Sequence, residues 1–259
     1  MISANKTRKA AWENLRFSYW KIFLLNIIPV GLNFIASMLF SLPFILGAIA
    51  LGTTQKALHT NGTDLIVGFL QFFVDIPIFL LSIAVSGCVL TLSRQNIDKF
   101  NPFKELFNRI KPPYLKGIII TNILMGLLLL SWTIVPFIIV LIVVSFVGGE
   151  TFFTFLFALA TFIVGIWKIC QYSQAIFLMY DIIEKNGKLD SSMQAITLSK
   201  ELMKGHIWDF IRLQLSFIGW GLLALLTCGI GAIFLVPYTD MANAEFYRAL
   251  NREDEELSF

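Results

Sequence analysis

Four polar residues stand within otherwise apolar stretches: Asp75, Lys168, Gln171 and Gln174. A charge at the bilayer centre costs about 2.5–3.5 kcal/mol on insertion scales, so ionisable residues in such stretches need an explanation. Lys168, Gln171 and Gln174 are spaced three apart and would share one helical face. Turned toward neighbouring helices, that face could bind an ion, a lipid headgroup or a peptide, with Asp75 as counter-charge to Lys168 and Asn26, Asn33 and Asn122 facing it. At 1.5 Å per residue, Asp75 lies about 15 Å and Lys168 about 24 Å from the outer starts of their spans, so tilt and side-chain reach would have to bring them together. The plain alternative is polar contact between helices, with Lys168 snorkelling to the interface.

Other reactive constellations are missing from the chain. No His-Glu-x-x-His, Gly-x-Ser-x-Gly or phosphate-binding glycine loop occurs. His59 and His206 fall on opposite sides of the topology below and cannot share a metal. Cys88, Cys170 and Cys228 lie in or at the ends of apolar spans and read as small packing residues. The expectation is a protein that is not an enzyme and has no cofactor and no metal.

The elements that position these residues follow from composition. Hydrophobic residues make up 57% of the 259-residue chain, charged residues 14%, and mean hydropathy is +0.75. Soluble domains average about a quarter charged, so lipid is the natural solvent here. Spans of about 20 apolar residues are predicted near 22–51, 65–92, 117–147, 152–180 and 208–227. A turn at Thr227-Cys228-Gly229-Ile230-Gly231 then leads into a weaker sixth span at 232–250, whose second half is polar at Thr239, Asp240 and Asn243. The cations come in bunches between spans: Lys6 to Lys21, Arg94 to Lys116, Lys185 to Arg212, and Arg248 with Arg252. With six spans every bunch and both termini fall in the cytoplasm, the side that Lys and Arg favour. Five spans would place Arg248 and Arg252 outside. The net charge of +3 is sorted by side, so the expected partners are anionic lipid headgroups and a membrane protein. Nucleic acid is not expected, because no separate soluble domain exists to bind it.

The cytoplasmic connections carry amphipathic helices. Ile97, Phe100, Phe103, Phe107 and Ile110 form an apolar stripe, with Asn101 as N-cap, Pro102 at the first helical position and Pro112-Pro113 ending the element. Met193, Ile196 and Met203 form a second, between Asp190 as cap and Gly205 as terminator. Trp12, Leu15 and Tyr19 form a third, shorter one. Helices of this kind lie in the membrane interface, and Trp12, Arg16, Trp20, Lys104, Arg109, Lys111, Lys200, Lys204 and Arg212 are the residues expected at the headgroups. Lys104-Glu105-Leu106-Phe107 and Lys200-Glu201-Leu202-Met203 stand in equivalent places before a span. They suggest a threefold unit of one interfacial helix and two spans, at residues 5–93, 94–182 and 188–250, followed by an acidic tail at 251–259. Convergent composition is the alternative. Either way the fold class is all-α, a polytopic membrane helix bundle in a single domain over 1–259.

Ser199-Lys200, Leu202-Met203-Lys204-Gly205-His206, Leu215-Ser216-Phe217-Ile218-Gly219-Trp220, Leu226-Thr227, Gly229-Ile230-Gly231, Pro237-Tyr238 and Phe246-Tyr247 resemble the bacterial integral-membrane family catalogued as domain of unknown function 975. The match is specific over about 199–250 and agrees in hydropathy along the rest. One departure is Val135-Pro136-Phe137-Ile138, which lacks the glycine of the family's middle span. The resemblance implies a multi-pass protein of the bacterial cytoplasmic membrane and supplies no catalytic residues. It assigns Gly205, Trp220, Gly229, Gly231, Pro237 and Tyr238 a structural part. The expected function is an accessory, scaffold or envelope-homeostasis protein. The alternative is a small transporter with a polar site around Lys168.

Overall fold

A computed structural model describes residues 2–51, 61–94, 100–147, 152–227 and 231–257. They form helices α1 (Ala4–Leu51), α2 (Asn61–Arg94), α3 (Pro102–Ile110), α4 (Tyr114–Val147), α5 (Phe152–Tyr172), α6 (Ala175–Asn186), α7 (Ser192–Leu202), α8 (Ile207–Leu226) and α9 (Ala232–Leu257). No strand occurs among the described residues. The protein is a polytopic helix bundle. Among the described residues five stretches are long and apolar enough to cross a membrane: Ala4–Phe40, Gly68–Arg94, Tyr114–Ile139, Phe155–Asn186 and Ile207–Leu226. The sixth expected helix, α9, does form, but its apolar first turns give way to a polar half that the bundle buries through Met241, Ala242, Ala244, Phe246 and Tyr247.

Burial is concentrated at the ends of the helices that carry the basic residues. In α2 the continuous buried run begins at Ile83, in α4 burial ends at Thr121, and in the α5–α6 region it becomes dense from Cys170. Beyond these points the helices stand apart. Over the most apolar stretch of Tyr114–Ile139 only 11% is buried, against 39% for Gly68–Arg94. The physical reason lies in the solvent. In lipid, apolar side chains gain little by leaving hydrocarbon for one another, and association there relies on close packing and polar contacts. Toward water the hydrophobic effect drives tight burial instead.

Close approach at the buried end depends on glycine. A methyl group on Gly87 of α2 would overlap the Tyr180 ring of α6, and one on Gly117 would meet Ile183 and Met179. Tyr180 is held in that gap by its hydroxyl, which donates to the Ile83 carbonyl at 3.1 Å.

Local signals are met at α3. Asn101 caps it, accepting from the Lys104 amide at 3.3 Å, Pro102 opens it, and the chain turns away at Pro112-Pro113. At α7 the expectation is corrected by one residue. Ser191 occupies the cap position, and Asp190 instead pairs with Lys188 at 2.9 Å. Gly205 follows in the left-handed region at φ +90°, where a Cβ would be strained. The amino-terminal stripe differs from the other two, being the first part of a continuous α1 rather than a separate helix.

Candidate functional site

The helix that carries the Lys168 stripe does not run straight through it. α5 ends at Tyr172, Ser173 and Gln174 form a turn, and α6 begins at Ala175. Ser199 of α7 stabilises the break, its hydroxyl donating to the Gln171 carbonyl at 2.8 Å. The expected single face is thereby corrected. Gln174 is buried, its amide donating to the Ser173 hydroxyl at 2.9 Å, while Lys168 and Gln171 stay half-exposed and bond to each other at 3.1 Å. Lys168 sits over the Trp132 ring of α4 at 4.2 Å, and Lys200 of α7 lies over Tyr172 at 5.4 Å. Asp75 accepts from Gln71 one turn earlier at 2.8 Å and forms no ion pair with Lys168. The expected counter-charge is therefore a correction too: each residue finds its partner on or beside its own helix, where the separation in depth never has to be crossed. Asn122 likewise donates back to the Ile118 carbonyl of its own helix, whereas Asn26 donates to the Ile22 carbonyl and also bonds the Asp240 side chain of α9.

The densest polar chemistry lies at the buried end, in residues the sequence did not single out together. Arg94 at the end of α2 forks onto Asp181 of α6, with Nη1 to Oδ1 at 2.5 Å and Nη2 to Oδ2 at 2.9 Å. Tyr247 of α9 donates to the same carboxylate at 2.6 Å. Arg109 of α3 donates through Nη2 to Glu184 of α6 and to Thr91 of α2, both at 2.5 Å, and through Nε to Glu105 at 3.1 Å. Its guanidinium lies 4.7 Å from the Tyr114 ring centroid and 4.9 Å from that of Tyr180. Burial opposes that charge. The Glu184 hydrogen bond and the Glu184 and Glu105 carboxylates outweigh it and hold the group above its ordinary pKa. This cluster ties α2, α3, α4, α6 and α9 together. A cavity of about 260 Å³ opens beside it, lined by Arg94, Asp181, Lys185, Arg248, Asn251 and Arg252.

Arg109 is thus a correction to the headgroup set. It is 3% exposed, because it shares a helix face with Glu105 and Leu106 that turns inward toward Glu184. The apolar Phe103 and Phe107 point outward instead, Phe107 being 65% exposed. Lys104, Lys111, Arg16 and Lys204 are exposed, as are Trp12 and Trp20, and Lys200 is half-exposed. Arg212 is exposed beside Asp209 at 3.6 Å. Of the residues carrying the resemblance, Trp220, Gly231 and Tyr238 line one groove between α1, α8 and α9. Pro237 is a buried interior residue of α9, and Gly229 lies outside the described residues.

The long apolar helices, the interior built from their ends and the short helices between them define a polytopic α-helical membrane protein. The chain matches the family model described as protein of unknown function DUF975 over residues 1–254, and it belongs to that family. No curated protein and no solved structure matches it. Among the described residues no group of three His, Cys, Asp or Glu is placed to hold a metal ion.

Proposed function

We propose that the protein is a non-enzymatic accessory or scaffold of the bacterial cytoplasmic membrane, with six spans and both termini in the cytoplasm. The observation that carries this reading is the contrast between the two ends of the bundle. At one end Arg94, Arg109, Asp181 and Glu184 bind one another and lock the helices together. Elsewhere the spans leave most of their apolar side chains uncovered, as at Phe137, Phe155 and Phe162. A fixed base with open helix faces suits a protein that receives other membrane helices and anionic lipids. Lys168 fits that reading as a half-exposed cation one turn before the end of α5, with Trp132 and Gln171 as its supports.

The test is reconstitution of the full chain in liposomes with a panel of ions and small solutes. The scaffold reading expects permeability equal to that of protein-free vesicles, and equal again for Lys168→Leu. Solute flux that the wild type supports and Lys168→Leu loses, at unchanged incorporation, would overturn it in favour of a transporter.

A further inference from the structure

An aromatic groove of about 570 Å³ runs between α1, α8 and α9. On α1 it extends from Arg8 to Tyr19, roughly 16 Å at 1.5 Å per residue. Its walls are apolar and aromatic, with Trp12 and Tyr19 on α1, Trp220 and Leu223 on α8, and Phe234 and Tyr238 on α9. Arg8 is the sole cation of the lining and lies at one end. There its Nε donates to the Tyr238 hydroxyl at 3.5 Å, and its guanidinium carbon lies 5.9 Å from the Phe217 ring centroid. Among the described residues Arg8 forms no ion pair, in contrast to Arg94, Arg109, Arg212 and Arg248, which each have a carboxylate partner. Gly231 keeps the groove's other end narrow, since a Cβ there would lie 2.8 Å from the Ala224 backbone.

We infer that this groove binds one anionic phospholipid, with the phosphate at Arg8 and an acyl chain along the aromatic walls toward Tyr19 and Phe234. Three features select that ligand. The only lining charge is positive and uncompensated, so it favours an acidic group. Most of the remaining surface is apolar or aromatic and gains free energy from hydrocarbon, which a free phosphate ion would leave uncovered. Among the described residues the Arg8 guanidinium hydrogen-bonds through Nε alone, and its planar fork suits phosphate oxygens. The inference goes beyond the scaffold reading and stands without it.

The test uses the full chain in nanodiscs of phosphatidylcholine doped with either phosphatidylglycerol or extra phosphatidylcholine of the same acyl chain. After exchange into detergent, the retained lipid is counted by native mass spectrometry. Wild type is expected to retain a single phosphatidylglycerol and little phosphatidylcholine. Arg8→Gln, which still donates to Tyr238, should lower that retention several-fold, and Arg8→Lys should keep most of it. Leu223→Trp, which fills the groove, should abolish it, while Lys9→Gln, on an exposed face of α1, should change nothing. Equal retention of the two lipids, an equal loss in Lys9→Gln and Arg8→Gln, or full retention in Leu223→Trp would each overturn the assignment. Circular dichroism and thermal stability of each variant establish that the loss is not unfolding.

Discussion

Arg109 shows how one residue is assigned to opposite environments by spacing and by packing. In the sequence it flanks an apolar stripe with Lys104 and Lys111, and the three look alike. In the structure Lys104 and Lys111 are exposed, while Arg109 makes contacts with Glu184, Glu105, Thr91 and two tyrosine rings. Its partner Glu184 is 75 residues away, and a periodicity argument has no access to such a contact. Removing one partner of a buried ion pair leaves the others uncompensated. Arg109→Ala should therefore cost roughly 3 kcal/mol, the low end of the range for buried pairs, because Glu184 and Glu105 keep some access to water. Lys104→Ala should cost under about 0.5 kcal/mol, as for an ordinary surface change. Thermal unfolding of the two variants in the same detergent separates them, and equal losses would show that the cluster does not hold the helices.

At the scale of elements, hydropathy located the long helices well, and the capping signals located α3. What it could not locate was where a span ends inside a continuous apolar run. The stretch from Phe152 to Tyr180 reads as one helix, yet it breaks at Ser173-Gln174, where Ser199 from α7 supplies a hydrogen bond to the freed Gln171 carbonyl. A break that depends on a residue 28 positions away has no local sign. The resulting elements meet through small residues. Gly87→Val should push the Tyr180 ring out of its gap and destabilise the bundle by about 1–3 kcal/mol, the ordinary cost of overpacking. Gly68→Ala in the same helix, with nothing within 4 Å of the added carbon, should be neutral or slightly stabilising. Thermal unfolding again supplies the comparison, and a Gly87→Val protein as stable as wild type would mean that α2 and α6 do not depend on this contact.

For the whole molecule, the alternation of basic bunches with apolar runs was enough to predict an all-helical polytopic bundle. The concentration of its buried interior at the basic ends was not legible, since it arises from pairs such as Arg94–Asp181 and from α9 folding back along α1. Asn14 donating to Glu245 across 231 residues of sequence is one such contact. Six spans require the two ends of the chain to share a side. Single cysteines placed at Lys9 and Arg252 should accordingly react with a membrane-impermeant maleimide from the same face of sealed vesicles. Labelling from opposite faces would leave five spans.

If, as proposed, the open helix faces receive another membrane protein and the locked end does not, the two regions should differ in what they crosslink. Site-specific photocrosslinking in native membranes addresses it directly, with a benzophenone side chain placed in turn at Phe137 and Phe162 on the exposed faces and at Ile118 in the buried interior. Phe137 and Phe162 are expected to give the same discrete protein adduct, and Ile118 none. Adducts with lipid alone at both exposed positions would contradict it.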